Sequence, residues 1–99
     1  AGGLKLKEPA IDLAVISAIL SSSLDISIEP GISMCGEVGL SGEIRPVNRI
    51  EQRILEAEKL GFSRIIIPHN NLKGFDTSKC KMQIVQVRKV EEAFRQLFG

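Results

Sequence analysis

The sequence predicts an α/β domain (α+β in arrangement) with a mixed sheet and three main helices. Apolar residues recur at helical spacing in three separate segments. Between the helices stand short apolar runs rich in β-branched residues: Ile32-Ser33-Met34-Cys35-Gly36-Glu37-Val38, Arg64-Ile65-Ile66-Ile67, and Met82 to Val87. Their order (helix, strand pair, helix, strand, strand, helix) is that of a layered α/β fold. A chain of 99 residues leaves no room for a second domain, and 43% hydrophobic with 25% charged residues describes an ordinary globular sequence.

Leu4-Lys5-Leu6-Lys7 alternates with period two and reads as a short strand. Pro9 suits the first turn of a helix, where its missing N–H costs nothing. From Ala10 to about Ser22 the segment is apolar on nearly every side, which predicts a buried helix. Asp12 suits its positive end. Ser21-Ser22-Ser23 marks a frayed end, and Ser17 is expected to bond back to a carbonyl of its own helix. Residues 32–38 read as one strand and Gly42 to Val47 as the next, joined by the turn Gly39-Leu40-Ser41-Gly42.

Asn48 to Leu60 is the clearest helix. Ile50, Ile54 and Ala57 share a face, and Asn48 with Glu51 three residues on has capping-box spacing. Gly61 then closes it, with Phe62 folding back on the last turn. Residues 64–67 form a buried strand stopped by Pro68. After the strand ending at Val87, the spacing of Val90, Ala93, Phe94 and Leu97 predicts a closing helix that runs to Gly99.

Composition removes several function classes. Thirteen Lys and Arg against twelve Asp and Glu leave a net charge of +1, so the chain does not hold nucleic acid by bulk charge. Its aromatic residues are four Phe with no Trp or Tyr, which is no stacking platform for single strands. The longest apolar stretch, Ile11 to Leu20, is interrupted by Asp12 and Ser17 and too short to span a bilayer. Cys35 and Cys80 fit no zinc spacing and read as two reduced thiols, and His69 reads as a solvated loop residue. Gly36, Gly39 and Gly42 lack the Gly-Lys-Ser/Thr ending of a phosphate loop. Arg45, Arg49 and Arg53 form one basic group, with Arg49 and Arg53 on a common helix face. Lys73, Lys79 and Lys81 form a second. Both are candidates for DNA phosphate or for a neighbouring subunit; a solvated face, with Arg53 paired to Glu56, is the plainer reading.

The run Gly36-Glu37-Val38-Gly39-Leu40-Ser41-Gly42-Glu43-Ile44-Arg45-Pro46-Val47, followed by Arg49-Ile50-Glu51-Gln52-Arg53-Ile54 and Leu60-Gly61-Phe62, resembles the C-terminal domain of the RadA (Sms) family of DNA repair proteins. Glu8-Pro9-Ala10, Asp12-Leu13-Ala14-Val15, Ile66-Ile67-Pro68 and Asn71-Leu72 extend the resemblance end to end. The layout is more distantly similar to the proteolytic domain of Lon and to the Lon-like part of magnesium-chelatase-type proteins. The resemblance implies a Lon-type fold. It also implies where the Lon serine and lysine would stand, and here those positions hold Ala10 and Glu51. Alanine offers no nucleophile and a carboxylate is no amine base, so no peptidase activity is expected. Ser17, Ser33 and Ser41 have no evident base beside them.

The resemblance further implies a ring-forming homo-oligomer, a hexamer in the parent protein, with weak, nonspecific DNA contact and a recombinase as a further partner. ATP and zinc would bind in an upstream RecA-like ATPase and a zinc segment, and no cofactor or metal is expected in these residues. The setting would be intracellular, in bacterial cytoplasm or in a mitochondrion or plastid. The start at Ala1-Gly2-Gly3 without Met reads as a fragment whose first strand lies upstream. Two other readings are an active Ser-Lys peptidase domain and a purely structural oligomerisation module.

Overall fold

A computed structural model describes residues 8–98 of the chain. The strand expected over Leu4 to Lys7 lies outside the described residues, as does Gly99. A 3-10 turn, Pro9–Ile11, leads into α1 (Asp12–Leu24). Then follow β1 (Ile32–Met34), β2 (Glu37–Val38), β3 (Ile44–Arg45), α2 (Ile50–Lys59), β4 (Arg64–Pro68), β5 (Gln83–Val87) and α3 (Val90–Phe98). Strands β1, β4 and β5 form a parallel sheet in the order β1-β4-β5, and β2 and β3 form an antiparallel pair. The parallel and antiparallel pairings expected of a mixed sheet are thus parted between two sheets.

β4 explains the layering. Its residues Ile65 to Pro68 are all buried, and alternate side chains point to opposite faces. Ile66 joins Leu13, Ile32, Ile44, Val87, Ala93 and Leu97 in a core beneath α1 and α3. Ile65 and Ile67 join Cys35, Ile50, Ile54, Ala57 and Met82 beneath α2. A parallel sheet covered on both faces is why β4 reads as a continuous apolar run rather than an alternating one.

Residues 32–38 are not one strand. Cys35 and Gly36 carry the chain from the parallel sheet into the hairpin, and Gly36 is the joint. Its N–H donates to Ala10 O (2.8 Å), and its carbonyl accepts the N–H of Leu13 (3.1 Å). A Cβ placed there would stand 2.8 Å from Ile44 Cγ2 and 3.7 Å from the Leu13 side chain. Asp12 adds a second tie, its carboxylate accepting the Val38 N–H at 3.1 Å.

α1 departs from expectation at three points. Leu13 and Ser17 are fully buried, yet Ile11, Ile19 and Leu24 are 38%, 61% and 55% exposed, because the described residues pack on one side of the helix only. Its end is not frayed. Asp25 adopts the left-handed conformation (φ 54°), and Ile26 and Asp25 donate to the carbonyls of Ser21 and Ser22, a closed αL stop on a residue other than glycine. The Ser17 hydroxyl makes no bond back to its helix; it has no hydrogen-bond partner among the described residues.

The start of α2 also differs. Asn48 is not its cap. Arg49 occupies that position in the left-handed region (φ 56°, ψ 41°), with no side-chain capping bond, so Asn48 and Glu51 form no capping box. Asn48 contributes its carbonyl instead, which accepts Arg53 Nε at 2.8 Å. The other end matches expectation: Gly61 (φ 89°) donates to Glu58 O and Phe62 to Ala57 O, a Schellman stop. α3 buries Ala93 and Leu97, and the Glu92 carboxylate accepts the N–H groups of Arg88 and Lys89 ahead of it. No helix among the described residues is long and apolar enough to cross a membrane.

Two substitutions test this account by urea unfolding. Gly36→Ala should lose about 1–3 kcal/mol through overpacking against Ile44. Asn48→Ala should change stability by less than about 0.5 kcal/mol, the range of a surface change, whereas loss of a true cap would cost about 1 kcal/mol.

Candidate functional site

The candidate residues cluster where the β2–β3 hairpin feeds α2. Glu37 and Arg45 are directly paired across the hairpin, and Arg45 lies 3.6 Å from Glu37 and 3.0 Å from Glu43. Hydrogen bonds from its own backbone N–H, then from Arg45 and the Ser41 N–H, hold the Glu43 carboxyl below the usual carboxylate range. The Arg45 charge is therefore matched locally. Arg53 is matched too, but not by Glu56: its guanidinium reaches 3.0 Å to Glu8, which precedes the 3-10 turn.

Arg49 is different. Its left-handed backbone sets it at the mouth of a cavity of about 460 Å³ shared with Gln52, Asn71, Lys73 and Glu51. Asn71 builds this cavity. Its side chain accepts the Val47 N–H (2.8 Å) and donates to the Val47 carbonyl (3.2 Å), clamping the loop after β4 onto the turn before α2. That clamp brings Lys73 beside Arg49. Among the described residues, neither cation has a carboxylate within 4.0 Å. The first N–H groups of α2 face the same region without a side-chain cap, adding the positive end of the helix dipole. In the sequence Asn71 stands only as part of the Asn71-Leu72 motif, and its pairing with Val47, 24 residues away, has no local signal.

Lys79 and Lys81 do not join this group. Lys79 ends a 3-10 turn, Thr77–Lys79, whose cap is Asp76. The Lys81 N–H donates to Glu58 at 2.7 Å, near the opposite end of α2. The second basic group expected from sequence is thus split, with Lys73 at one end of that helix and Lys79 and Lys81 toward the other.

Ala10 and Glu51, the positions expected for the Lon serine and lysine, line separate cavities. Ala10 is buried and lines a space of about 80 Å³ with Glu8, Glu37, Pro46, Val47 and Asn48, which bring to it neither a hydroxyl nor an amine side chain. Glu51 is exposed and lines the Arg49–Lys73 cavity. Ser33 lines a third cavity with Cys35, Arg53 and Glu56, again without a lysine.

Both cysteines are free thiols. Burial pushes Cys35 up to about 11, opposed in part by the charge of Arg53. Cys80 is raised by desolvation and then by its hydrogen bond to Glu58. His69 is partly exposed, its Nε2 lying 3.0 Å from an Arg88 guanidinium nitrogen.

This fold, with its hairpin-to-helix junction, defines a class: the chain belongs to the family of the Lon protease (S16) C-terminal proteolytic domain, which matches residues 1–99. Within that class it is similar to DNA repair proteins. It is 52% identical over 99 residues to "DNA repair protein RadA" of Streptococcus pneumoniae, covering 100% of this chain and 23% of that protein. It is also 52% identical over 99 residues to the protein of that name from Bacillus subtilis, covering 100% of this chain and 21% of that one. The chain spans less than a quarter of the length of these curated relatives. The resemblance drawn from the hairpin and α2 motifs is thereby met.

A thiol-reactive disulfide reagent at neutral pH should modify the partly exposed Cys80 first and reach Cys35 only on unfolding, because the thiolate is the reactive form and Cys35 holds its proton well into the alkaline range. Stoichiometry before and after denaturant measures this.

Proposed function

We propose that this chain is a non-proteolytic Lon-type domain serving a RadA-like DNA repair protein as subunit scaffold and DNA-contacting platform. The observation that carries the DNA contact is the allocation of charge. Arg45 and Arg53 are held by Glu37, Glu43 and Glu8, while Arg49 and Lys73 converge on one cavity with no ion-pair partner among the described residues. Two cations and an uncapped helix start suit a phosphate oxygen and carry no means of reading bases. With a net charge of +1, one copy offers a weak field, so tight binding needs repetition around a ring. The parent protein would bind ATP and zinc in other domains, work beside a recombinase, and act in the cytoplasm, a setting supported by the bacterial sources of its relatives.

Loss of peptidase chemistry rests on Ala10 and Glu51. A dyad needs a hydroxyl and a neutral amine within hydrogen-bond reach, and neither cavity supplies the pair. The purely structural reading draws on two exposed apolar residues, Ile11 just ahead of α1 and Ile19 within it, which suit a subunit contact without DNA.

The full-length protein carrying Arg49→Glu with Lys73→Glu should bind duplex DNA more weakly, with a salt dependence shallower by about two phosphate contacts per subunit. Fluorescence anisotropy over a salt series, with sedimentation to follow the ring, makes the measurement. Unchanged affinity with an intact ring would remove DNA contact from this cavity and favour the structural module. Peptide hydrolysis abolished by mutating a serine of this domain would restore the peptidase reading.

A further inference from the structure

Among the described residues the parallel sheet ends at β5, and its outer edge carries an arrangement that the Lon-type scaffold and the Arg49–Lys73 cavity leave unused. Gln83 donates its N–H to Ser63 O (3.0 Å), and Val87 accepts the N–H of His69 (2.8 Å), so both face β4. Backbone groups alternate along a strand, so the N–H and C=O of Ile84 and Gln86 point the other way. No strand among the described residues lies there. Gln83–Val87 contains no proline and no charge, the devices that ordinarily blunt an exposed edge.

Two further observations say what fits. Beside the edge, on the face carrying Ile84 and Gln86, lies a cavity of about 210 Å³ completed by Leu72, Thr77 and Met82. A strand added to β5 would present every second side chain to it, so main-chain bonds and a side-chain pocket occur together. Four cationic side chains also flank β5, beside Glu58, which accepts the Lys81 N–H, and Glu92, which accepts those of Arg88 and Lys89. Lys79 and Lys81 precede it and Arg88 and Lys89 follow, all exposed, with no Asp or Glu from Thr77 to Val90. None of the four forms an ion pair among the described residues. A second copy is a poor occupant. Antiparallel pairing with Ile84 opposite Gln86 of another copy would set Lys81 opposite Lys89, and like charges directly opposite repel.

We propose that the outer edge of β5 docks an extended segment of a partner protein, with a β-branched centre bracketed by Asp or Glu at both ends. The segment becomes a fourth strand. Ile84 and Gln86 supply its main-chain bonds, the Leu72–Met82 cavity takes one side chain, and the four cations meet its acidic ends.

The test uses the intact chain and a blocked octapeptide of alternating Val and Thr flanked by Glu pairs. Its controls are the same peptide with Lys for Glu and the same peptide N-methylated throughout its centre. Anisotropy should show binding of the acidic peptide alone, with N-methylation weakening it at least about tenfold, the equivalent of two main-chain hydrogen bonds. Amide shifts in NMR should centre on Ile84 and Gln86. Gln86→Pro removes an outward N–H and should abolish binding. Lys81→Glu with Lys89→Glu, which leaves the strand intact, should transfer preference to the Lys peptide. Equal binding of the N-methylated peptide, shifts centred elsewhere, or an unchanged preference in the charge-reversed variant would overturn the proposal. Concentration-dependent self-association that protects the Ile84 and Gln86 amides would give the edge to a second copy. Displacement of the peptide by a short DNA duplex would give it to nucleic acid; either result also overturns the proposal.

Discussion

Everything in this domain turns on the close approach at Gly36. At that residue the chain leaves the parallel sheet, receives the Ala10 turn and the Leu13 N–H of α1, and begins the hairpin that leads to α2. The approach is close enough that a single added carbon would meet Ile44 at 2.8 Å. Interiors at organic-crystal density do not absorb such a shift locally. The position of α1, the direction of the hairpin and the placement of α2 are therefore one geometric decision. Asp12, reaching across to the Val38 N–H, locks the same corner by a second route.

From that corner follows the distribution of charge. The hairpin sets Arg45 among its own carboxylates, and the return of the 3-10 turn brings Glu8 to Arg53. The left-handed bend at Arg49 turns this one arginine of the three toward the Asn71–Lys73 loop. A basic group that looks uniform in one dimension is two ion-paired arginines and one open site in three. The matched pairs are surface pairs and contribute little to stability; their consequence is to remove two charges from any outward-facing field.

How much was legible follows the range of the interaction involved. β4 and α3, and the Schellman stop at Gly61, are written in local pattern, and all stand where the spacing placed them. The failures involve partners distant in sequence. Residues 32–38 have the composition of one strand, and only the packing of Leu13 and Ile44 around Gly36 divides it. Asn48 and Glu51 have the spacing of a capping box, but the clamp of Asn71 on Val47 and the demand of Arg53 for the Asn48 carbonyl select another turn. Glu56 was the nearest local partner for Arg53, and Glu8 won from 45 residues away. The circumference of α1 is apolar in composition, but the described residues cover only part of it. At the candidate site, the residue types were legible; their division between open and occupied was not.

The strand order β1-β4-β5 also has a meaning in time. A ribosome delivers β1 long before the strand it pairs with, because the hairpin and the whole of α2 lie between Met34 and Arg64. At roughly 5–20 residues per second, that interval lasts seconds, far longer than a hairpin or a helix needs to form. During it the apolar side chains of β1 and α1 have no sheet to cover. The hairpin can close on its own turn and on Asp12, but the bond from the Ile44 N–H to the Arg88 carbonyl waits for the end of β5. β4 then arrives as the central strand and gives both cores their shared wall, and Met82, Val87, Ala93 and Leu97 complete them only when β5 and α3 follow. Synthesis speed through residues 35–63 thus becomes a determinant of yield, independent of the stability of the finished fold.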